Sequence, residues 1–429
     1  MREVSRNHPL PEAPADAATS TRALVSFAPV RNLLGYSAAV NAGVLLQATA
    51  LGKQIYDITG RELDIGLLGL AEFLPAALLV LVTGSVADRF NRRIVASLAV
   101  TGEFACSIAL ALYAMSSPTA VWPLFVIAVL FGASRAFAAP STRSMPPMVA
   151  PDGAVPRTIA LYSATWTGAA IVGPAMSGIL YAVDPSVAYW SAALLMLLGV
   201  WQLTRIRFLR QPPPPAPGDK VSLHSALEGL RFIKRTPILL AAISLDLFAV
   251  LFGGAVALLP AIAEERLGVG DVAYGWLRAA PGIGAALMAV FLASRPVTRR
   301  VGRTLLFVVG IFGSATVVLG VTTSYVVAFV ALVVLASADM ISVYIRGTLV
   351  PLVTPDDKRG RVMAVENVFI GASNELGAFE SGVAAQAFGT QVAVVGGGVA
   401  TLGIVGLYSV FFPSLRRIDS FEELDPERG

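Results

Sequence analysis

Nine charged residues interrupt stretches of chain that are otherwise apolar: Glu72, Glu103, Arg135, Asp246, Arg278, Asp339, Glu366, Glu375 and Glu380. A charge at the centre of a membrane costs about 2.5 to 3.5 kcal/mol on insertion scales, so each must be paired, neutralised by a proton or solvated by a cavity. The chemistry on offer is therefore proton binding and ion pairing in apolar surroundings. Asp246 is the first candidate for a proton carrier and Glu72 the second, because burial ties protonation of a carboxyl to its surroundings and hence to shape. A neutral, hydrogen-bonded structural acid fits either position as well. Stepping ~100° per residue along a helix puts Glu366, Asn367, Ser373, Asn374, Glu380 and Ser381 in one arc, with Glu375 pointing the other way. That arc suits a wet cavity wall or a polar seam between helices. Asn41, Trp166 and Phe248 complete the cavity-lining candidates, the aromatics being equally suited to lipid-facing or core packing.

Composition removes most alternatives. Of 429 residues 55% are hydrophobic and 14% charged, against ~25% charged in soluble domains. Lys and Arg number 32 against 28 Asp and Glu, a net charge of +4 that does not gather on a soluble domain, so no nucleic-acid partner is expected. One cysteine, Cys106, and two histidines, His8 and His224, exclude a disulfide framework and leave little for zinc or catalysis. No glycine-rich phosphate loop with a following Lys-Ser/Thr occurs, which argues against direct use of ATP. The expectation is a protein without cofactor and without enzymatic activity.

The elements that must position these charges are membrane spans. Roughly 20 apolar residues cross ~30 Å of hydrocarbon, and twelve segments qualify, near 33–56, 65–86, 94–115, 121–139, 158–181, 187–205, 238–262, 272–293, 304–322, 325–345, 362–387 and 391–412. With the N-terminus inside, 28 of the 32 basic residues fall in the tails, the even-numbered loops and their helix ends, leaving only Lys53, Arg61, Arg266 and Arg278 opposite. Positive flanks are retained in the cytoplasm, so both termini are expected there. The fold class is all-α integral membrane: a disordered tail at 1–30, a six-helix bundle at 31–205, a cytoplasmic linker at 206–237, a second six-helix bundle at 238–413 and a tail at 414–429. The linker holds Pro212 to Pro215, Pro217 and Gly218, a stiff spacer. After it Leu223, Leu227 and Leu230 recur at helical spacing beside Lys234 and Arg235, as in a surface helix or a plain tether.

The two bundles are copies of one another. A shift of 204 residues matches Pro147 to Pro351, Asp152 to Asp356, Gly173 to Gly377, Ser177 to Ser381 and Gly178 to Gly382; a shift of 206 matches Gly69 to Gly275, Pro75 to Pro281 and Arg89 to Arg295. Parallel repeats related by an axis along the membrane normal place a cavity between them at the midplane and imply alternating access.

The stretch Gly84-Ser-Val-Ala-Asp88-Arg89-Phe-Asn-Arg92-Arg93 between the second and third spans resembles the loop signature of the major facilitator superfamily. Gly168, Gly173-Pro174 and Gly178 in the fifth span are similar to the antiporter motif of its drug-exporting members. The resemblance covers nearly the whole chain and is closest to the enterobactin-exporter-like, drug-efflux branch. It implies twelve helices and a proton-linked exporter of a drug, siderophore or metabolite, acting as a monomer. An uptake or facilitative carrier on the same fold is the first alternative, and an intramembrane lipid-handling protein the second. Asp88 would act as a latch on free backbone N–H groups, with Arg89, Arg92 and Arg93 orienting the loop, although a turn with basic flanks has the same pattern. The glycines and Pro174 would give tight, slideable helix packing. Under the repeat, Glu72 matches Arg278 and Arg135 matches Asp339; since the family's fourth and tenth helices line the cavity, Arg135 and Asp339 are expected to pair across it in one state and part in the other. Arg outnumbers Lys 28 to 4 in a chain rich in Ala, Gly and Val, which points to a high-GC bacterial genome and a plasma-membrane location.

Overall fold

In the computed structural model residues 20–210 and 223–424 are described, without the side chains of 80, 81, 85, 87–89 and 223–226. His8 and the prolines of the linker lie outside the described residues, as do the side chains of Asp88, Arg89 and His224. Twelve long helices follow one another: α1 (Ala28–Thr59), α2 (Glu62–Arg89), α3 (Arg92–Met115), α4 (Trp122–Arg143), α5 (Val155–Tyr181) and α6 (Pro185–Arg205), then α7 (Pro237–Arg266), α8 (Asp271–Ser294), α9 (Val301–Val321), α10 (Tyr325–Val353), α11 (Asp356–Phe388) and α12 (Thr390–Phe411). Alternation along twelve helices leaves the two chain ends and the linker at one end of the molecule, called the terminal end below; the other is the distal end.

Local signals set the helix ends. Asn91 caps α3 through its side chain to the Arg93 N–H at 3.0 Å, Asp184 caps α6 through the Ser186 N–H at 2.8 Å, and Gly60 ends α1 in the left-handed region at φ 59°. Each bundle has its own apolar core. Leu33, Val100, Phe131, Met196 and Leu203 fill the terminal half of the first, and Leu239, Leu245, Leu305, Ile345 and Leu349 the terminal half of the second. Helix α10 runs eight residues beyond the expected 325–345, so Arg346 lies inside the helix and is buried at 3% exposure. The linker helix, Leu223–Arg235, packs one face on α11: Glu228 pairs with Arg361 at 2.7 Å, and a methyl at Gly229 would stand 2.8 Å from the Arg361 carbonyl.

Two pairs of helices join the bundles, α5 with α8 and α2 with α11. Their crossings fall on the glycines that the internal repeat relates. A Cβ at Gly275 would stand 2.6 Å from the Cα of Gly178, and one at Gly382 would stand 3.0 Å from the Cα of Gly66, one turn from Gly69. Only a residue without a side chain lets backbones come this close. Nine helices among the described residues are long and apolar enough to cross a membrane by length and composition. Of the helices outside that count, α5 and α11 are seam helices, where each faces protein on two sides. Both seams tighten at the distal end. Toward the terminal end Gly371 still meets the Phe73 ring at 3.8 Å, but Gly84 and Gly360 meet nothing within 4 Å. Among the described residues the two bundles meet most closely at the distal end.

Helix α7 is broken. Its regular part stops at Phe252, a short 3-10 turn covers Gly254–Val256, and Leu259–Ala261 and a π-helical stretch, Ile262–Arg266, complete it. Gly253 and Gly254 let the ring of Phe312 on α9 and the carbonyl of Gly377 on α11 press against the break, where any side chain would collide. Irregular backbone at membrane depth is tolerated where protein buries it or a cavity adjoins it.

Candidate functional site

A cavity of about 460 Å³ lies between the bundles at the α7 break. Each charge of the two repeat-related pairs lines it: Glu72 of α2 and Arg278 of α8, Arg135 of α4 and Asp339 of α10. Asn374 and Glu375 of α11 and Tyr274 of α8 complete the polar wall, while Gly52, Val250, Phe312 and Leu335 keep the rest apolar. Arg278 is anchored, its Nη1 donating to the Val256 carbonyl at 3.0 Å. Glu375 lies within electrostatic reach of Glu72, Arg135 and Arg278. Three carboxylates therefore face two guanidinium groups, one of them held by backbone. The arrangement suits reversible binding of a small molecule that has both an apolar body and polar or charged groups.

A second charged group is buried beside this cavity in the second bundle. Arg346 of α10 pairs with Asp246 of α7 at 2.7 Å and with Glu366 of α11 at 3.8 Å, and its Nε reaches the Ser342 hydroxyl at 3.4 Å. Their side chains are 4%, 8% and 12% exposed, which makes the pairing obligatory: an isolated charge at such depth is prohibitively costly. Asp339 lies between the two groups, lining the central cavity and also a small void that it shares with Asp246 and Ser342.

The third cluster closes the distal end. Lys53 of α1 bonds to Asp57 one turn on, and reaches Glu264 at 3.3 Å and Asp271 at 3.5 Å in the other bundle. The Tyr181 hydroxyl donates to Asp57 at 2.7 Å, Tyr56 bonds to Glu265, the Tyr274 hydroxyl donates to the Thr49 carbonyl at 3.2 Å, and that of Thr390 donates to Glu62 at 2.9 Å. Most of these contacts tie the first bundle to the second. Among the described residues no group of three or more His, Cys, Asp or Glu is arranged to hold a metal.

The remaining candidates are distributed as follows. Arg135 and Asp339 share the cavity, but no ion pair within 4 Å links them among the described residues; the charged neighbours of Asp339 are Asp246 and Arg346. On α11 the expected arc divides: Glu366, Ser373 and Ser381 are buried on the face that holds Gly377 against Val250 and Leu251 of α7, while Asn374 lines the cavity. Glu375, expected to point away, is the acid on the cavity, and Glu380 is not among its lining residues. Glycine and alanine set this rotation, because Glu375, Ala378 and Gly382 form the stripe that meets α2. Asn367 lies two turns toward the terminal end on the stripe of Asn374, and Asn41 two turns terminal to Ala48 on the cavity face of α1, bonded to Ser37 at 3.0 Å. Trp166, 46% exposed, lies one turn terminal to Ala170, whose carbonyl would be 2.7 Å from a Cβ at Gly282 of α8. Phe248 instead lines a lateral groove with Phe252, Tyr408 and Phe411 between α7 and α12. In the loop signature Arg93 donates to the Ile206 carbonyl at 3.0 Å, and a Cβ at Gly84 would meet open space. Gly173 packs on α1, whereas Pro174 and Gly178 pack on α8.

Sequence reasoning missed Arg346, Lys53, Asp57, Glu264 and Asp271. Lys53 carried a signal, being a lone lysine within an apolar span of a chain with four lysines. Arg346 carried none, since its span was drawn one residue short of it.

A sequence profile described as Major Facilitator Superfamily matches residues 32–377. An uncharacterized MFS-type transporter, YfiS, of Bacillus subtilis (strain 168) is 27% identical over 275 residues, 62% of this chain and 62% of that protein. The multidrug efflux pump Tap of Mycolicibacterium fortuitum is 25% identical over 413 residues, covering 91% of this chain and 97% of the pump. Among solved structures, a bacterial homologue of the human lysosomal transporter Spinster, in an inward-facing and unoccupied conformation, superposes with a TM-score of 0.69 at 17% identity, over 93% of this chain and 98% of that one.

Proposed function

The chain belongs to the major facilitator superfamily and is a multi-pass membrane transporter; from that premise we propose that it is a proton-coupled exporter of a small amphipathic compound, working by alternating access. The carrying observation is the charge-lined cavity between two bundles whose distal seam is closed by Lys53, Tyr56 and the paired glycines, while Gly84 and Gly360 toward the terminal end meet nothing within 4 Å. With the basic residues retained inside, the terminal end is cytoplasmic and the cavity is loaded from the cytoplasm. Export is supported by the likeness to a multidrug efflux pump over nearly the whole chain.

Proton coupling draws its support from the buried Asp246, Asp339 and Glu366 around one arginine. Inward proton flow supplies about 2.3 kcal/mol per charge for each 100 mV of potential. The cavity is enclosed by one chain, so a monomer suffices. The test is a proteoliposome assay with a pH-sensitive dye inside and a panel of fluorescent cations, antibiotics and siderophores. Export coupled to proton entry predicts substrate movement against the proton flux, abolished by a protonophore. Substrate and protons moving together would assign an uptake carrier instead, and movement indifferent to the pH gradient would remove the coupling.

A further inference from the structure

We propose that Asp339 is the port through which protons pass between the central cavity and a buried proton-binding group formed by Asp246, Arg346 and Glu366, so that a molecule bound in the cavity closes the proton path without touching the proton-binding carboxylates. The inference rests on the proton-coupled reading above.

Three observations carry it. The first is charge: one guanidinium, Arg346, serves Asp246 at 2.7 Å and Glu366 at 3.8 Å, with Asp339 in electrostatic range. Three ionised carboxylates around one arginine leave two negative charges in a low-dielectric site, an imbalance that proton uptake relieves. The groups facing Asp246 from the surrounding helices are few. Helix α9 contributes only apolar side chains to the void, α10 brings Asp339 and Arg346, α11 brings Glu366, and the Tyr408 hydroxyl of α12 is engaged with Ser244 at 2.7 Å.

The second is the route. The void between Asp339 and Asp246 measures about 10 Å³ and is otherwise bounded by Ser342 and apolar side chains. That is at the lower limit of the space one water takes; although the wall is mostly apolar, Asp246, Asp339 and Ser342 all border it, and one transient water is placed there in the proposed path. A proton taken from cavity water by the Asp339 carboxylate can thus pass through this water to the Asp246 carboxylate. Asp339 returns to its ionised form as Asp246 becomes neutral, and no other bond changes. A neutral Asp246 releases its hold on Arg346, whose guanidinium then has Glu366 as its ionised partner. Glu366 belongs to α11, the helix whose Gly382 seals the distal seam.

The third is asymmetry. The shift of 204 that maps Asp339 onto Arg135 maps Arg346 onto Thr142 (346 − 204) and Glu366 onto Tyr162 (366 − 204), so the first bundle carries uncharged groups at the two equivalent positions. The Asp246–Arg346–Glu366 group thus has no charged counterpart at the two equivalent positions of the first bundle, and its port opens on the shared cavity.

The test is a pH jump on the purified full-length protein without substrate, following the carbonyl stretch of protonated carboxyls by infrared difference spectroscopy. In the wild type the signal rises after acidification, and Asp246→Asn removes the band component that belongs to Asp246. Asp339→Asn is expected to retain the part of the signal due to Asp246 but to slow its rise at least about tenfold. Ala338→Leu, which fills the void and keeps every carboxylate, is expected to slow it likewise. Wild-type rates in both variants would overturn the port, as would a signal insensitive to Asp246→Asn. If the jump behaves as expected but the vesicle assay shows no proton flux with substrate, the exporter reading fails while the port stands. Coupled flux in vesicles together with unslowed jumps would remove the port and leave the exporter reading intact.

Discussion

At the scale of single residues Arg346 carries the most weight, since it neutralises carboxylates from two other helices while itself 3% exposed. Replacing it by Met leaves buried, uncompensated charge, a change that costs about 3 to 5 kcal/mol. Arg346→Met should therefore unfold at a clearly lower temperature in detergent, and adding Asp246→Asn should recover part of the loss; equal melting of wild type and single variant would disprove the pairing. Asp184 tests a milder effect outside the spans. Hydrogen bonds from Ser186, side chain first and backbone second, hold its carboxyl below the usual aspartate range. A lowered folded value means that the stabilising contribution is present above the ordinary aspartate pKa and is lost as pH falls through the lower, folded one. Protection against hydrogen exchange in the first turn of α6, measured relative to the intrinsic rate at each pH, should fall over that acid window, and Asp184→Ala should lower it at neutral pH and remove that change. The nine intramembrane charges could be named from sequence because each violates an apolar run. Which of them meet could not, because Asp246, Arg346 and Glu366 come from three helices up to 120 positions apart.

At the scale of helices the seams depend on glycine. A methyl on Gly178 would stand 2.5 Å from the Asp271 carbonyl and 2.7 Å from the Cα of Gly275, so α5 and α8 would have to separate. Overpacking of this kind costs about 1 to 3 kcal/mol, charged to the distally closed state alone. Gly178→Ala should accordingly speed labelling of a cysteine placed at Ala257, on the cavity wall, by an impermeant maleimide applied from the distal side. Gly84→Ala, with nothing within 4 Å, should leave the labelling unchanged. These glycines were visible as repeat-matched positions, although the stretch that holds Gly178 reads as a motif of one helix rather than a contact between bundles. The arc on α11 could be read as cavity wall or polar seam, and the place of Glu375 was missed, for a related reason. A helical wheel sorts residues by polarity, whereas α11 is oriented by the small residues that admit a neighbouring backbone, which set Glu366, Ser373 and Ser381 toward α7 and brought Asn374 and Glu375 to the cavity.

At the scale of the whole molecule, alternating access requires the two bundles to rock about the cavity and the distal seam to open in each cycle. Cysteines at Tyr56 and Glu265, whose side chains meet end to end across the seam, should be bridged by a short bis-methanethiosulfonate linker in a background with Cys106 replaced. The linked protein should lose transport in vesicles and regain it on reduction; full transport through the locked seam would refute alternating access here. Twelve helices, their duplication and the charges lodged within them were decided by the sequence alone, because apolar length, positive flanks and repeated glycines are local properties that no neighbour alters. The rotation of α11, the sharing of Arg346 and the distal tie of Lys53 were decided by tertiary packing, because each depends on which backbones glycine allows to touch, and that is settled between helices rather than along them.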